Sequence, residues 1–221
     1  MRLAKKILLV MVIIVGINLV LMGINILQNG LGGWDGRSMG DILAMPAEKA
    51  SLKRVEKLSK SEVMQLFYAA PAPEFASMKG EYRAKLLTVG VMAFATKLFT
   101  NNLFGPGQWE GKAFFPFEKD KGWGYNLFAL NDKERKPPIA RTRKMNTYVD
   151  KSNIDDKDSF HLDYSPYNTG IIYSMHDEIR RINGTLYIGM GYIAAGGGSS
   201  NPAPFVLYGK PARWVGPDKK D

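Results

Sequence analysis

The clearest hairpin signal in the chain lies in residues 171–195, with the sequence IIYSMHDEIRRINGTLYIGMGYIAA. Two strand-like runs, Ile171–Ile182 and Thr185–Ala195, flank the dipeptide Asn183-Gly184. Asn-Gly between alternating runs favours a type I′ turn, because both central residues of that turn require positive φ. The segment therefore predicts two neighbouring antiparallel strands joined by a tight turn.

Further short segments on both sides of this hairpin also have the character of strands. The eight predicted strands cover residues 81–88, 111–118, 123–130, 139–149, 159–164, 170–182, 185–195 and 204–209. Eight short strands with few helices favour a mainly β fold, either an up-and-down barrel or a sandwich. We predict an eight-stranded antiparallel β-barrel with short helices, one of them at residues 91–104, where apolar residues recur at helical spacing.

The N-terminus predicts a membrane anchor. Ile7–Leu27 contains no charged residue and follows Arg2, Lys5 and Lys6. A helix of that length spans roughly 30 Å, the thickness of a bilayer's hydrocarbon core. A cleaved signal peptide is the alternative, but its apolar region is only about 7–15 residues long and ends at a small-x-small site. By the positive-inside rule, the N-terminus lies in the cytoplasm and the remaining chain outside it.

The sequence divides into four predicted parts. Residues 1–27 are the transmembrane anchor and residues 28–46 a glycine-rich juxtamembrane linker. Residues 47–73 form a basic helical spacer, and residues 74–221 form the β-barrel domain. The membrane lipid bilayer is therefore the first predicted partner.

The anchor also raises an alternative function. Gly16 and Gly23 lie seven residues apart on one helix face, as do Asn18 and Asn25. Small residues and amides commonly form contacts between helices in membranes. A structural or accessory subunit of a membrane protein complex is therefore the first alternative to a ligand-binding protein.

Composition limits the chemistry. The formal net charge is +9, which suits anionic lipids or acidic partners, and residues 131–144 concentrate much of the basic charge. An extracytoplasmic location and the lack of a recognisable motif argue against nucleic acid. The chain has no cysteine and only two histidines, which excludes thiolate chemistry and restricts zinc chemistry. We predict no cofactor.

A short motif links the chain to a known family. Gly107-Gln108-Trp109 resembles the Gly-x-Trp signature of lipocalins and the wider calycin group, and Gly80-Glu81-Tyr82 is a weaker match at the first predicted strand. The resemblance covers three residues in each case and implies a lipocalin-like barrel. Such barrels are just wide enough inside to hold side chains or one small ligand.

The candidate ligand-binding residues come from two sources. The aromatic side chains Trp109, Trp123 and Tyr125 are predicted to line an apolar interior that holds a hydrophobic or amphiphilic ligand. The residues His176, Glu178 and Arg180 alternate along one strand face, where Arg180 or the basic stretch would contact an acidic head group. The alternative for this face is an outward, solvated ladder of paired charges.

Two further alternatives involve the histidines. His176 with Glu178 or Asp177 could perform acid–base chemistry on a lipid-like substrate. His161 and Asp163 share a strand face and, together with His176, would make a minimal zinc site, but nothing in the sequence brings them together. We predict no metal, and the sequence favours a binding protein over an enzyme. The glycine run at residues 196–198 predicts a loop at the barrel mouth.

Overall fold

A computed structural model describes residues 2–29, 32–130 and 138–218. Eight strands form a closed barrel in which each pairs antiparallel with the next, and the last pairs with the first. This confirms the predicted fold class. The strands are β1 (Gly80–Leu86), β2 (Gln108–Pro116), β3 (Gly122–Ala129), β4 (Ile139–Lys151), β5 (Asp158–Asp163), β6 (His176–Asn183), β7 (Leu186–Tyr192) and β8 (Ala203–Ala212).

Within the described residues, five α-helices accompany the barrel. They are α1 (Arg2–Leu27), α2 (Met39–Leu43), α3 (Leu52–Val55), α4 (Lys60–Ala69) and α5 (Ala93–Asn102). Helix α1 contains Lys5–Leu27, which is long and apolar enough to cross a membrane, with a mean hydropathy of 3.0. Helix α5 lies between β1 and β2, within the region where helical spacing predicts it.

The barrel interior is one buried apolar cluster to which all eight strands contribute. Side chains alternate between the two faces of each strand, so Phe160 and Leu162 of β5 point inward together. The rings of Phe114 and Phe160 pack edge to face with centroids 5.3 Å apart, and the ring centroids of Tyr82 and Phe114 lie 5.5 Å apart. Such pairs contribute about 0.5–1.5 kcal/mol beyond their buried area.

A second apolar cluster lies outside the barrel, between the strands β6–β8 and the N-terminal helices. Helix α4 begins with a complete capping box between Ser59 and Glu62 and buries Leu66 and Phe67 against this face. Residues 47–73 therefore pack on the barrel rather than acting as a spacer.

The predicted linker at residues 28–46 also contains ordered structure. Helix α2 buries Ile42 and Leu43 in the outer cluster. The side chain of Gln65 donates to the carbonyl of Gly33 at 2.7 Å and accepts from the backbone N–H of Asp35 at 2.9 Å. This segment is thus fixed to α4, which glycine content alone did not predict.

The hairpin is confirmed, with two corrections. Residues 170–174 form a 3₁₀ turn, so β6 begins only at His176. Neither Asn183 nor Gly184 adopts the left-handed region, so the type I′ turn is wrong. The side chain of Asn183 instead accepts from the backbone N–H of Thr185 at 3.0 Å and donates to the carbonyls of two residues before α3.

Helix α1 ends at one end of the barrel. We call the loops at this end, residues 87–107, 164–175 and 193–202, the anchor rim. The amide of Asn25 donates to Asn201 at 2.6 Å, and Asn29 donates to the carbonyl of Ser200 at 2.9 Å. The side chain of Gln28 accepts from a backbone N–H of the first loop at 3.0 Å. These contacts hold the anchor rim against the last turn of α1.

Candidate ligand-binding cavity

A cavity of about 200 Å³ lies beneath α5 and opens at the anchor rim. Its lining is mainly apolar, with Leu86, Phe99, Trp109, Met175, Ile193 and Phe205 among the larger side chains. Asn25 of α1 and Lys60 of α4 also line it, near the rim. Lys112 and Asp177 supply charged groups within this otherwise apolar space.

Lys112 reaches the interior through an irregularity in β2. The register of β2 against β3 shifts between Trp109 and Gly111, so Lys112 lies on the same side as Trp109 and Phe114. Its side chain is only 1% exposed. The ammonium lies 5.2 Å from the ring centroids of both Trp109 and Phe205. Burial lowers the pKa of Lys112, and Asp177 opposes that shift.

Lys112 uses all three of its N–H donors. Its Nζ donates to Asn126 at 2.9 Å, to the hydroxyl of Tyr164 at 2.7 Å and to Oδ2 of Asp177 at 2.7 Å. An ammonium has three donors and no acceptor, so none remains. Burial and the nearby Asp177 raise the pKa of Tyr164 well above its ordinary value, which keeps its hydroxyl proton available. That hydroxyl donates to Asp177 at 2.8 Å.

Asp177 has one oxygen without a partner. Oδ2 accepts from Lys112 and Tyr164, whereas Oδ1 is buried and has no hydrogen-bond partner among the described residues. The inward-facing Gly191 of β7 pairs with Asp177, and a Cβ there would lie 2.6 Å from Oδ1. Glycine at this position therefore makes room for the carboxylate of Asp177.

Of the three predicted aromatic residues, the structure brings only Trp109 into the cavity. Its indole N–H donates to Asn126 at 3.0 Å. Tyr125 belongs to an outer cluster against which Trp214, near the C-terminus, packs. Trp123 packs on the same outer surface, 5.2 Å from Trp214. The prediction that Trp123 and Tyr125 line the interior is therefore wrong, because β3 directs them outward.

His176, Glu178 and Arg180 also lie on the outer face of the barrel, opposite Asp177 and Ile179. The prediction that this face points inward is wrong, and the alternative of an outward, solvated face is only partly right, because Glu178 and Arg180 point outward but are buried and His176 is partly buried. Glu178 and Arg180 are 0% exposed. The guanidinium of Arg180 forms two hydrogen bonds with Asp155, at 2.5 and 2.7 Å, and donates to two backbone carbonyls. It therefore joins α4 to the β4–β5 loop rather than contacting the cavity.

The two histidines contact each other directly. Nδ1 of His161 lies 2.8 Å from Nε2 of His176, and His161 also stacks on Tyr148. Burial, followed by the charge of His161, lowers the pKa of His176. Glu178 accepts instead from the hydroxyl of Tyr192 and a backbone N–H. The enzyme hypothesis requires a contact between His176 and the carboxylate of Asp177 or Glu178. Among the described residues, His176 forms no hydrogen bond with either carboxylate.

The same geometry bears on the metal alternative. His161, Asp163 and His176 come from neighbouring strands, but within residues 2–29, 32–130 and 138–218 no three His, Asp or Glu side chains form a group that could hold a metal ion. The sequence alone could not show this, because it does not give the pairing of β5 with β6.

Lys60 is the second lysine of the cavity and lies near its mouth. No carboxylate of the described chain forms a salt bridge with it, and burial lowers its pKa to about 8. Much of the predicted basic stretch, residues 131–137, lies outside the described residues. Of its remainder, Arg141 pairs with Glu81 at 2.8 Å and Arg143 donates to a backbone carbonyl, so neither faces the cavity.

Sequence reasoning missed the central role of Lys112. A signal for it was present, since Lys112 alternates with Phe114 and is the one charged residue in the run from Gly111 to Pro116. Asp177 likewise shares a face with Ile179 and was considered only as a partner of His176. A charged residue in the inward phase of an apolar strand therefore marks the cavity floor.

No protein-family model and no curated protein matches the chain. A solved structure, described as a crystal structure of a protein from Thermomonospora curvata, is similar to it with 16% sequence identity and a TM-score of 0.45. The match covers 78% of this chain and 95% of that chain. Similarity at this level carries no argument about function, and the lipocalin-like resemblance stays a prediction.

Proposed function

We propose that this protein is a membrane-anchored, lipocalin-like barrel that binds a hydrophobic or amphiphilic ligand in the cavity beneath α5. The observation that carries the proposal is the position of this cavity. It is mainly apolar, and it opens at the end of the barrel where α1 leaves. A ligand that partitions into the bilayer can enter such a cavity without crossing water.

The surface of the anchor rim supports this orientation. Phe94 of α5 is 78% exposed, and Leu98 and Leu103 are at least half exposed. Ile171 and Tyr173 of the β5–β6 loop are exposed at the same end of the barrel. Contiguous exposed apolar side chains mark interaction sites, and amphipathic elements with aromatic residues settle at membrane interfaces. The bilayer is the partner that the adjoining anchor supplies. The domain lies outside the cytoplasm in this proposal, as the charge at the N-terminus predicts.

Membrane contact of the rim is tested by single-site spin labelling, which suits a chain with no native cysteine. Phe94→Cys and the control Asp120→Cys, in the β2–β3 loop at the opposite end, are labelled in the full chain and placed in phosphatidylcholine nanodiscs. We expect the label at Phe94 to be accessible to oxygen and shielded from a water-soluble nickel complex. The label at Asp120 should show the reverse. Equal exposure of both labels to nickel would contradict the orientation.

Ligand binding is tested with the full chain in the same nanodiscs and an alkyl diazirine probe that cross-links on illumination. We expect cross-links at cavity residues such as Trp109 and Phe205. Ala203→Leu, which fills the cavity from β8, should remove them, whereas Ala212→Leu, at the exposed end of that strand, should not. Cross-linking that is unchanged in Ala203→Leu would exclude the cavity as the site.

The two alternatives receive less support. A Cβ at Gly16 or Gly23 would meet no atom within 4 Å, so this helix face is open to lipid or a partner helix. However, Asn18 donates to Ile14 within its own helix and Asn25 bonds the anchor rim, so both amides act within this chain. The enzyme alternative requires a contact between His176 and a carboxylate, whereas His176 contacts His161.

A further inference from the structure

We propose that the cavity floor recognises a lipid whose polar end is an uncharged hydrogen-bond donor, such as a hydroxyl or an amide, and that this donor binds Oδ1 of Asp177. This inference rests on the proposed function and adds the chemical class of the ligand. It replaces the acidic head group that the sequence suggested.

The donors of the floor are all used. The ammonium of Lys112 already donates to Asn126, Tyr164 and Asp177. The hydroxyl of Tyr164 donates to Asp177, and the indole of Trp109 donates to Asn126. An anionic head group needs donors, and here it would have to displace an existing bond of this network.

One acceptor is open. Oδ1 of Asp177 has no hydrogen-bond partner in the described part of the chain and belongs to a side chain that is 1% exposed and lines the cavity. A buried carboxylate oxygen without a hydrogen bond is costly, so a ligand that donates to it gains that free energy on binding. Glu178 and Arg180 also carry one unpartnered atom each, but neither residue lines the cavity.

The local charges favour a neutral donor. Lys112 and Asp177 balance each other, so the floor has no net charge to offer a charged head group. A carboxylate would lie beside the carboxylate of Asp177, and an ammonium would lie beside the ammonium of Lys112. A hydroxyl or an amide N–H meets neither repulsion and donates one hydrogen bond.

Ligand size and orientation follow from the same geometry. A cavity of about 200 Å³ is smaller than the about 300–1,000 Å³ of typical small-molecule sites. A lipid that enters with its hydroxyl first would place that group at Asp177 and leave the end of its tail at the anchor rim. Gly191 makes room for the carboxylate of Asp177 in this position, because a Cβ there would lie 2.6 Å from Oδ1.

The test uses three straight-chain alkyl diazirines of equal length that end in a hydroxyl, a carboxylate or a methyl group. The full chain in phosphatidylcholine nanodiscs is labelled with each, and cross-links are located by peptide mass spectrometry. We expect the hydroxyl probe to label floor residues such as Trp109 at least about tenfold more than the other two, as expected for one hydrogen bond to a charged acceptor.

Two variants connect the preference to Asp177. Gly191→Ala should reduce labelling by the hydroxyl probe to the level of the methyl probe, and Gly184→Ala, in the open β6–β7 turn, should leave it unchanged. The double variant Lys112→Met/Asp177→Leu replaces the ion pair with apolar groups and should retain the methyl probe while losing the preference for hydroxyl. This variant serves if the added methyl in Gly191→Ala disturbs the fold.

The outcomes separate the two proposals. If the carboxylate or methyl probe labels the floor to the same extent as the hydroxyl probe, the inference is overturned and the binding function stands. Carboxylate labelling confined to mouth residues near Lys60, with hydroxyl labelling at the floor, supports the inference. If no probe labels the cavity, the proposed function fails and this inference with it.

Discussion

Strand β6 separates two buried polar clusters that differ in what covers them. The inner cluster, Lys112 with Asp177, borders an apolar cavity and keeps an open acceptor. The outer cluster, Arg180 with Asp155, is covered by α4 and the β4–β5 loop and bonds backbone carbonyls. Asp177 and Arg180 of one strand thus serve different purposes, because they lie three residues apart and so face opposite sides of the sheet: Asp177 faces the cavity, and Arg180 lies beneath a helix.

The outer pair should have the largest effect on stability. In Arg180→Ala the carboxylate of Asp155 loses both of its bonds to the guanidinium and keeps only the one from the backbone N–H of Lys157, and α4 loses a contact with the barrel. We expect a loss of about 3–5 kcal/mol in the free energy of unfolding, as for other broken buried pairs. Denaturant unfolding measures it. The control Arg181→Ala, at the exposed neighbouring position, should change stability by no more than about 0.5 kcal/mol. Similar losses in both variants would contradict the distinction.

The inner pair should be less costly to break. Lys112→Met leaves Asp177 without its counter-ion, but the carboxylate keeps the hydrogen bond from the hydroxyl of Tyr164, so we expect a loss of about 3 kcal/mol, the low end for such a change. The double variant Lys112→Met/Asp177→Leu should return to within about 1 kcal/mol of the original chain, since apolar replacement of a whole buried pair is often neutral. A double variant that is less stable than Lys112→Met would indicate that the pair itself stabilises the barrel.

Acid should weaken the outer face first. His176 has an ordinary pKa of 6.5, and burial and His161 lower it in the folded chain, against smaller opposing effects of Asp177, Glu178 and Asp163. The unfolded chain therefore takes up the proton first as the pH falls below 6.5, and stability that is fully present above that pH is lost. We expect the melting temperature to drop over this window. His176→Gln should show a flatter profile, and an unchanged slope would assign the acid sensitivity to other groups.

The smallest predicted effect lies at the cavity mouth. The pKa of Lys60 is about 8 when folded, against 10.5 when free, so stability rises with pH between about 8 and 10.5. Lys60→Met removes the cost of burying this charge. We expect a gain of about 1 kcal/mol at pH 7, after allowance for solvent at the mouth, that vanishes near pH 10.5. Urea unfolding at both values measures it. A gain that is independent of pH would point to packing instead of charge.

Local patterns predicted much of the fold. The alternation of Phe160, Leu162 and Tyr164 against His161 and Asp163 gave the correct faces of β5, since each strand has a side-chain period of two. The number of strands and the helix between β1 and β2 were also predictable. The conformation of residues 170–174 was not predictable from the sequence. Ile171 and Tyr173 are residue types that favour strands, but they lie in a 3₁₀ turn and their side chains are exposed.

The site was less predictable, for a physical reason. The register shift of β2 between Trp109 and Gly111 is not evident from residue types, so Trp109 and Tyr125 were predicted to share the interior. Lys112 was overlooked, although it shares a strand face with Phe114. Whether an outward side chain is buried depends on distant segments, as for Arg180 beneath Phe67. Such contacts between residues far apart in sequence are not written in any local pattern.

Closure of the barrel sets a limit on when this protein can fold. Strand β1 pairs with β8, so the backbone partner of Leu86 is Phe205, which is synthesised more than a hundred residues later. Until then both strands that border the gap, β1 and β7, present unpaired backbone groups that can capture another chain. Contacts of this range also slow folding. A chain that ends before β8 would therefore be prone to aggregation, and the barrel can close only when the last strand has been made.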